Sequence, residues 1–271
     1  MLNNNSEQRD NYLLKFNLFN GTLHLGQAIA QLYLFLNIDD FKDFKLPLNT
    51  SFLTSVETGN EEFLQLKTKE LTTFRLGYLI FSFLFITSFF HYFIACNFNK
   101  YIIYINENRN PYRWVEYSIT STIMILVIAL LFGIYDISTL TMIGGSNFVL
   151  MYLGMMMENI NKDADDETDL IWSPFILGCV LAIFPWICIA IYLIGDGSDF
   201  DDTPSFVYAL AGSYFIFYQI FAVNMFYQYK NFNTVRYARI EKYYQILSLL
   251  SKSTLAWIVF GGLNQPNEYN K

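Results

Sequence analysis

Long apolar runs, separated by short polar stretches, organise this chain. The runs at roughly 74–98, 112–135, 139–158, 171–195 and 204–229 hold few ionisable residues, and each is long enough to cross a bilayer as a helix. Two further candidates, 12–38 and 236–262, are the most polar of the set. Lipid offers no water to backbone N–H and C=O groups, so helices are required. The pattern predicts seven spanning helices in one domain over 1–271, with no internal repeat and no low-complexity tract. One connection is long. Residues 39–72 form a first loop in which "TSFLTSVETGNEEFLQLKTKEL" has strand-like stretches on either side of Thr58-Gly59-Asn60, which predicts a β-hairpin.

Composition agrees with a membrane bundle. The chain is 54% hydrophobic and only 15% charged, with 27 Phe and 20 Tyr, too apolar and aromatic for a soluble domain of this length. A net charge of −7 argues against nucleic acid as a partner. Acidic residues gather in Asp39 to Glu70, Asp163 to Asp169 and Asp196 to Asp202, which read as solvated loops. "DADDETD" lacks the glycine and terminal glutamate of an EF-hand loop, so a calcium site is set aside. Cys96, Cys179 and Cys188 show neither metal-ligand spacing nor a disulfide framework. The polar N-terminus carries no cleavable signal pattern, so the first apolar segment is expected to direct insertion.

Lysine and arginine set the expected orientation. With the N-terminus cytoplasmic, Arg9, Lys15, Lys100, Arg109, Arg113, Lys162, Lys230, Arg236, Arg239 and Lys242 lie inside. The outer side then holds Lys271 and the basic residues of the long first loop, which count for less. The expectation is N-terminus in, C-terminus out, and an extracellular hairpin.

Ionisable groups inside apolar runs carry the candidate chemistry, because a charge at a helix centre costs about 2.5–3.5 kcal/mol on insertion scales. Lys252 lies well inside the last run. It either snorkels to an interface or acts as an amine that condenses with an aldehyde. In a seven-helix bundle with an aromatic interior, the expected aldehyde is retinal. A Schiff-base cation needs a buried anion. "NPYRWVEYSITS" at 110–121 offers Glu116, just before the apolar run "IMILVIALLFGIY". Arg113, Glu116, Tyr117 and Thr120 share a helix face, so Glu116 pairs either with Arg113 at the interface or with Lys252. Ser248 precedes Lys252 by one turn and either bridges that pair or bonds back to its own backbone. The two histidines, His24 and His91, read as satisfied core residues or as members of a polar cluster with Glu116; Gln27 lies one turn from His24. No third ligand suggests a metal site.

These residues carry a family resemblance. "NPYRWVEYS" at 110–118, "SLLSKSTLAW" at 248–257, "WSPFILGC" and "FPW" within 172–186 and "GMMMEN" at 154–159 together resemble a heliorhodopsin. The inverted topology and the stranded first loop are similar too. The resemblance implies an all-α, rhodopsin-like seven-transmembrane-helix bundle with all-trans retinal on Lys252, Glu116 as counterion and Ser248 as its hydrogen-bonding neighbour. It implies that His24, Gln27, His91, Arg113 and Trp257 line a polar cavity near the Schiff base. It places Tyr117, Ser121, Trp172, Phe217 and Asn224 around the chromophore, and it implies a homodimer.

The expected function is light sensing without net ion transport, read by a signalling partner. The alternative is light-driven or light-gated proton transport. Transport needs polar groups through the whole bilayer. Here Glu116, His24, His91, Arg113 and Glu158 fall in the cytoplasmic half, whereas Asp136 alone lies near the outer end of the third helix. No nucleophile triad, metal cluster or phosphate loop suggests an enzyme.

Overall fold

The apolar runs fold as helices. The computed structural model describes residues 2–58, 61–164, 166–195, 204–231 and 236–263. In chain order these form α1 (Leu2–Asn37), α2 (Asp39–Asp43), β1 (Lys45–Thr58), β2 (Glu61–Arg75), α3 (Gly77–Cys96), α4 (Phe98–Asn106), α5 (Pro111–Leu131), α6 (Ile137–Asn161), α7 (Ser173–Gly195), α8 (Ser205–Lys230) and α9 (Tyr237–Leu263). Among the described residues, α3 and α5 to α9 are the 6 helices long and apolar enough to cross a membrane.

The seventh long helix, α1, packs along α3 and α9. Its sequence is polar on average because its inner face is polar. Asn17, Asn20, His24 and Gln31 are buried, while Phe19, Ile29, Tyr33 and Leu36 face outward. This reverses the pattern of an amphipathic helix in water and suits a helix that faces lipid. It begins at Leu2 rather than near residue 12, and residues 98–106, read as a plain connection, form the short helix α4. α4 buries Tyr101 and Ile105, which hold it against the bundle.

Local signals set the helix ends. Asn110 caps α5 by accepting from the Arg113 amide at 3.3 Å, with Pro111 at the first helical position. Asp136 caps α6, accepting from the Thr139 amide at 2.8 Å and its hydroxyl at 3.0 Å. The turn between α5 and α6 passes through Gly133, whose φ of 82° favours glycine.

The hairpin is antiparallel and runs from Lys45↔Arg75 to Thr58↔Glu61. Its strands extend past the expected edge of the loop at residue 72; Gly59 and Asn60 lie outside the described residues, as does the acidic stretch 196–202. Among its described residues, the hairpin docks through its base. Leu46 is buried, and the Asn49 amide donates to the Tyr135 carbonyl at 2.8 Å. The bundle therefore has a hairpin end and an opposite end that carries α4.

The larger apolar core lies toward the hairpin end, around Phe35, Ile80, Phe83, Leu84, Ile125, Ile128, Leu255 and Val259. A smaller, more aromatic cluster, including Trp114, Tyr117, Tyr229 and Tyr244, lies toward the α4 end. Between α6 and α7 the acidic segment turns back on itself: the Thr168 amide and hydroxyl donate to Asp166, which holds that carboxyl below its usual range. No cluster of metal-ligating side chains occurs among the described residues.

Candidate functional site

Lys252 sits midway along α9 and is buried. Its Nζ donates to Glu116 Oε1 at 2.8 Å and to Ser248 Oγ at 2.6 Å, and it stands 4.8 Å from the centre of the Tyr117 ring. Two hydroxyls also donate to Glu116 Oε1: Thr87 at 2.8 Å and Thr120 at 2.9 Å. A buried ion pair needs further hydrogen bonds to offset desolvation, and α3, α5 and α9 each supply some.

The pair stands between two cavities of opposite character. On one side is an apolar cavity of about 440 Å³ among α5, α6, α7, α8 and α9, with Lys252 in its wall. Trp114, Tyr117, Trp186, Tyr214, Phe217 and Tyr218 supply aromatic walls. The volume falls within the roughly 300–1,000 Å³ range of small-molecule sites. Gly154 lets Trp114 approach: a Cβ there would lie 2.4 Å from the ring. On the other side, a polar cavity of about 20 Å³ is lined by Glu116 and Ser248 together with His91, Arg113, Glu241 and Gln245.

The residues singled out from sequence fall into groups. Lys252, Glu116, Ser248 and Tyr117 converge. Ser121 and Phe217 line the apolar cavity. Ser121 Oγ also accepts from Asn147 Nδ2 at 2.7 Å. Trp172, Asn224 and Trp257 do not line either cavity beside Lys252. Trp172 packs on Phe175, Phe226 and Tyr229 instead. Asn224 faces a groove between α8 and α9, and Trp257 donates to Gln27 Oε1 at 3.2 Å near the outer surface of α1 and α9. The Gln27–Trp257 pair is thereby removed from the polar cavity.

The histidines stack on one another with ring centroids 5.9 Å apart. His91 Nδ1 lies 2.9 Å from Asn17 Oδ1 and its ring reaches the polar cavity, whereas both ring nitrogens of His24 are buried without a protein partner. Arg113 turns away from Glu116 and pairs with Glu158 and Glu241. Glu241 was missed in the sequence, although it shares a stripe of α9 with Gln245, Ser248 and Lys252. Trp186 was missed because α7 is apolar on every side, and Tyr214 and Tyr218 because the polar and aromatic residues of α8 give no periodic signal.

Chemically, this is one buried amine at the mouth of an apolar, aromatic cavity, held beside one carboxylate and three hydroxyls. It suits an elongated apolar aldehyde bound covalently, with an anion placed for the resulting cation. A family model described as Heliorhodopsin matches residues 13–263. No curated protein matches the chain.

Proposed function

The chain belongs to the heliorhodopsin family, rhodopsin-type photoreceptors of the membrane, and from that premise we propose that it senses light through all-trans retinal joined to Lys252 as a Schiff base. The observation that carries this reading is the placement of the Lys252 amine, buried in the wall of the 440 Å³ apolar cavity and 2.8 Å from Glu116. The residues fit the group: aromatic rings for a polyene, a nucleophilic amine for an aldehyde, and a carboxylate for the charge. When bound, retinal supplies absorption of visible light and a change of shape on isomerisation.

The chain's own residues do the rest. Glu116 holds the positive charge at the Lys252 nitrogen, and Thr87 and Thr120 fix its carboxylate in place. Ser248 Oγ, 2.6 Å from that nitrogen, orients it. Tyr117 closes the cavity beside it and is anchored by donating to the Tyr244 carbonyl at 3.1 Å. Glu116 is the anion within reach when the nitrogen gives up its proton.

Sensing is favoured over transport by where the polar groups are. Among the described residues, the buried lysine, arginine, histidine and carboxylate side chains are at the level of Lys252 or toward the α4 end. Asp136, the carboxylate near the hairpin end of α5, is used as a helix cap. The distribution of lysine and arginine supports a cytoplasmic N-terminus with the α4 end inside. A homodimer and a signalling partner that reads the altered state belong to the same proposal. No enzymatic step is assigned.

The test is the absorption spectrum of the purified chain with all-trans retinal, beside Lys252→Ala. A visible band in the wild type and none in the variant is the expected result. A folded wild type that stays colourless would overturn the reading.

A further inference from the structure

Glu241, Gln245, Ser248 and Lys252 stand on one stripe of α9, at i, i+4, i+7 and i+11, and all are buried. Ser248 and Lys252 belong to the site above. Glu241 belongs to a second cluster, centred on Arg113, whose guanidinium donates to Glu241 Oε2 and Glu158 Oε1 and lies 3.8 Å from the centre of the Tyr244 ring.

The two carboxylates are surrounded differently. Glu158 accepts from the Asn110 amide at 2.9 Å, the Trp114 indole at 2.7 Å and the Tyr237 hydroxyl at 2.9 Å. The amide and the indole both point at Oε2, and neither can accept a proton in return. Glu241 Oε1 accepts from Asn110 Nδ2 at 2.9 Å, and from the Tyr101 hydroxyl and Gln245 Nε2 at 3.2 Å each. A phenolic hydroxyl is both donor and acceptor, so protonated Glu241 keeps Tyr101 as a partner just as protonated Glu158 would keep Tyr237; the cavity separates the two. Glu241 also lines the small polar cavity that Glu116 and Ser248 line, and Glu158 does not. At about 20 Å³, that cavity has room for one water.

Charge gives the direction. One guanidinium faces two carboxylates, which leaves one negative charge in excess in a buried cluster. The other titratable groups around it are the tyrosines Tyr101, Tyr229, Tyr237 and Tyr244, with Glu116, His91, Tyr112 and Tyr117 around the cavity. One added proton brings the arginine–carboxylate group to neutrality and relieves the cost of an uncompensated buried charge.

We propose that Glu241 is the internal store for the proton that leaves the Lys252 nitrogen. The N–H bond at Lys252 breaks and Glu116 Oε1 takes the proton. A water in the polar cavity passes one proton on, an O–H bond forms at Glu241 Oε1, and Glu116 returns to a carboxylate. The total proton count of the protein does not change, and nothing is released to either side. This proposal rests on Lys252 as the chromophore lysine.

The test is light-minus-dark infrared spectroscopy of the protein purified with all-trans retinal, as wild type, Glu241→Gln, Glu241→Asp and Glu158→Gln. In the long-lived state after deprotonation, the wild type is expected to gain a carboxylic acid C=O band. That band should vanish in Glu241→Gln, shift in Glu241→Asp and remain in Glu158→Gln. A band unchanged in both Glu241 variants, or lost only in Glu158→Gln, overturns the proposal. Should Glu241→Gln fail to fold, Glu241→Asp decides by the presence or absence of the shift. A wild type without a visible band overturns the chromophore reading, and this proposal with it; a visible band with an unaltered infrared signal overturns the role of Glu241 alone.

Discussion

The two ends of this bundle bury different material. At the α4 end, Asn17, Asn110, Arg113, Glu158, Glu241 and Gln245 form a hydrogen-bonded interior. At the hairpin end, the interior is Phe35, Ile80, Phe83, Leu84, Ile128 and Val259. Gln31, which donates to the Ala256 carbonyl at 3.3 Å, is a rare buried polar side chain there. Ionisable groups in hydrocarbon are expensive and mark the paths of ions. Here, among the described residues, the buried carboxylates, histidines and arginine lie level with Lys252 or toward α4. Toward α4 the site adjoins buried carboxylates at Glu158 and Glu241, whereas toward the hairpin the carboxylate next along α5 and α6, Asp136, is partly buried and caps a helix; this contrast supports the proposal of a reversible switch.

The largest effect should follow from breaking the charged end. Arg113→Ala leaves two buried carboxylates without their guanidinium, and loss of one partner from such a group costs roughly 3–5 kcal/mol. Thermal unfolding in detergent measures this. An unchanged midpoint would mean that the cluster is hydrated and that the two ends differ less than their contacts indicate.

Ile128→Ala probes the other end. Ile128 is fully buried, so the truncation should cost about 2–5 kcal/mol by the same assay. It does not line the apolar cavity, so the visible absorption maximum should stay where it is. A shifted maximum would show that the apolar end also shapes the chromophore site.

Thr87→Val sharpens the boundary between the ends. It removes one of the hydroxyls that hold Glu116 while nearly keeping its shape, and a hydrogen bond to a charged group contributes about 1.5–3 kcal/mol. Reduced stability with a shifted visible band is expected. Neither change would mean that Thr120 and Lys252 alone position the carboxylate.

The smallest effect is expected at the surface of the hairpin end. Asp43 and Arg75 form a partly exposed pair at 3.4 Å, and such pairs contribute about 0–1 kcal/mol. Asp43→Asn should leave the unfolding midpoint nearly unchanged, and a large drop would mean that the hairpin base anchors the bundle.

Much of the fold was legible in the sequence, because lipid forces backbone hydrogen bonds into helices and leaves long apolar runs as the record. The ends were legible where a cap was present, as at Asn110-Pro111. α4 was not, since nine residues are too few to separate an amphipathic helix from a polar connection. At the site, Lys252, Glu116 and Ser248 were visible as polar residues inside or beside apolar runs. Glu241 was not, because it sits near the start of the last run, where charged residues are ordinarily solvated. The spacing 241, 245, 248, 252 was the signal that would have found it. Trp172 and Asn224 were expected around the chromophore, yet the structure places them off the cavity. One position along a helix turns a side chain by about 100°, and an all-apolar helix such as α7 has no polar face by which to judge its rotation.

The steady photocurrent of the retinal-loaded protein in a voltage-clamped cell addresses the contrast between the two ends most directly. The expected result is no sustained light-dependent current at any holding potential, with at most a brief charge displacement as the proton moves within the bundle. A sustained current that follows the proton gradient would contradict it, and would mean that the apolar end opens a path in the light.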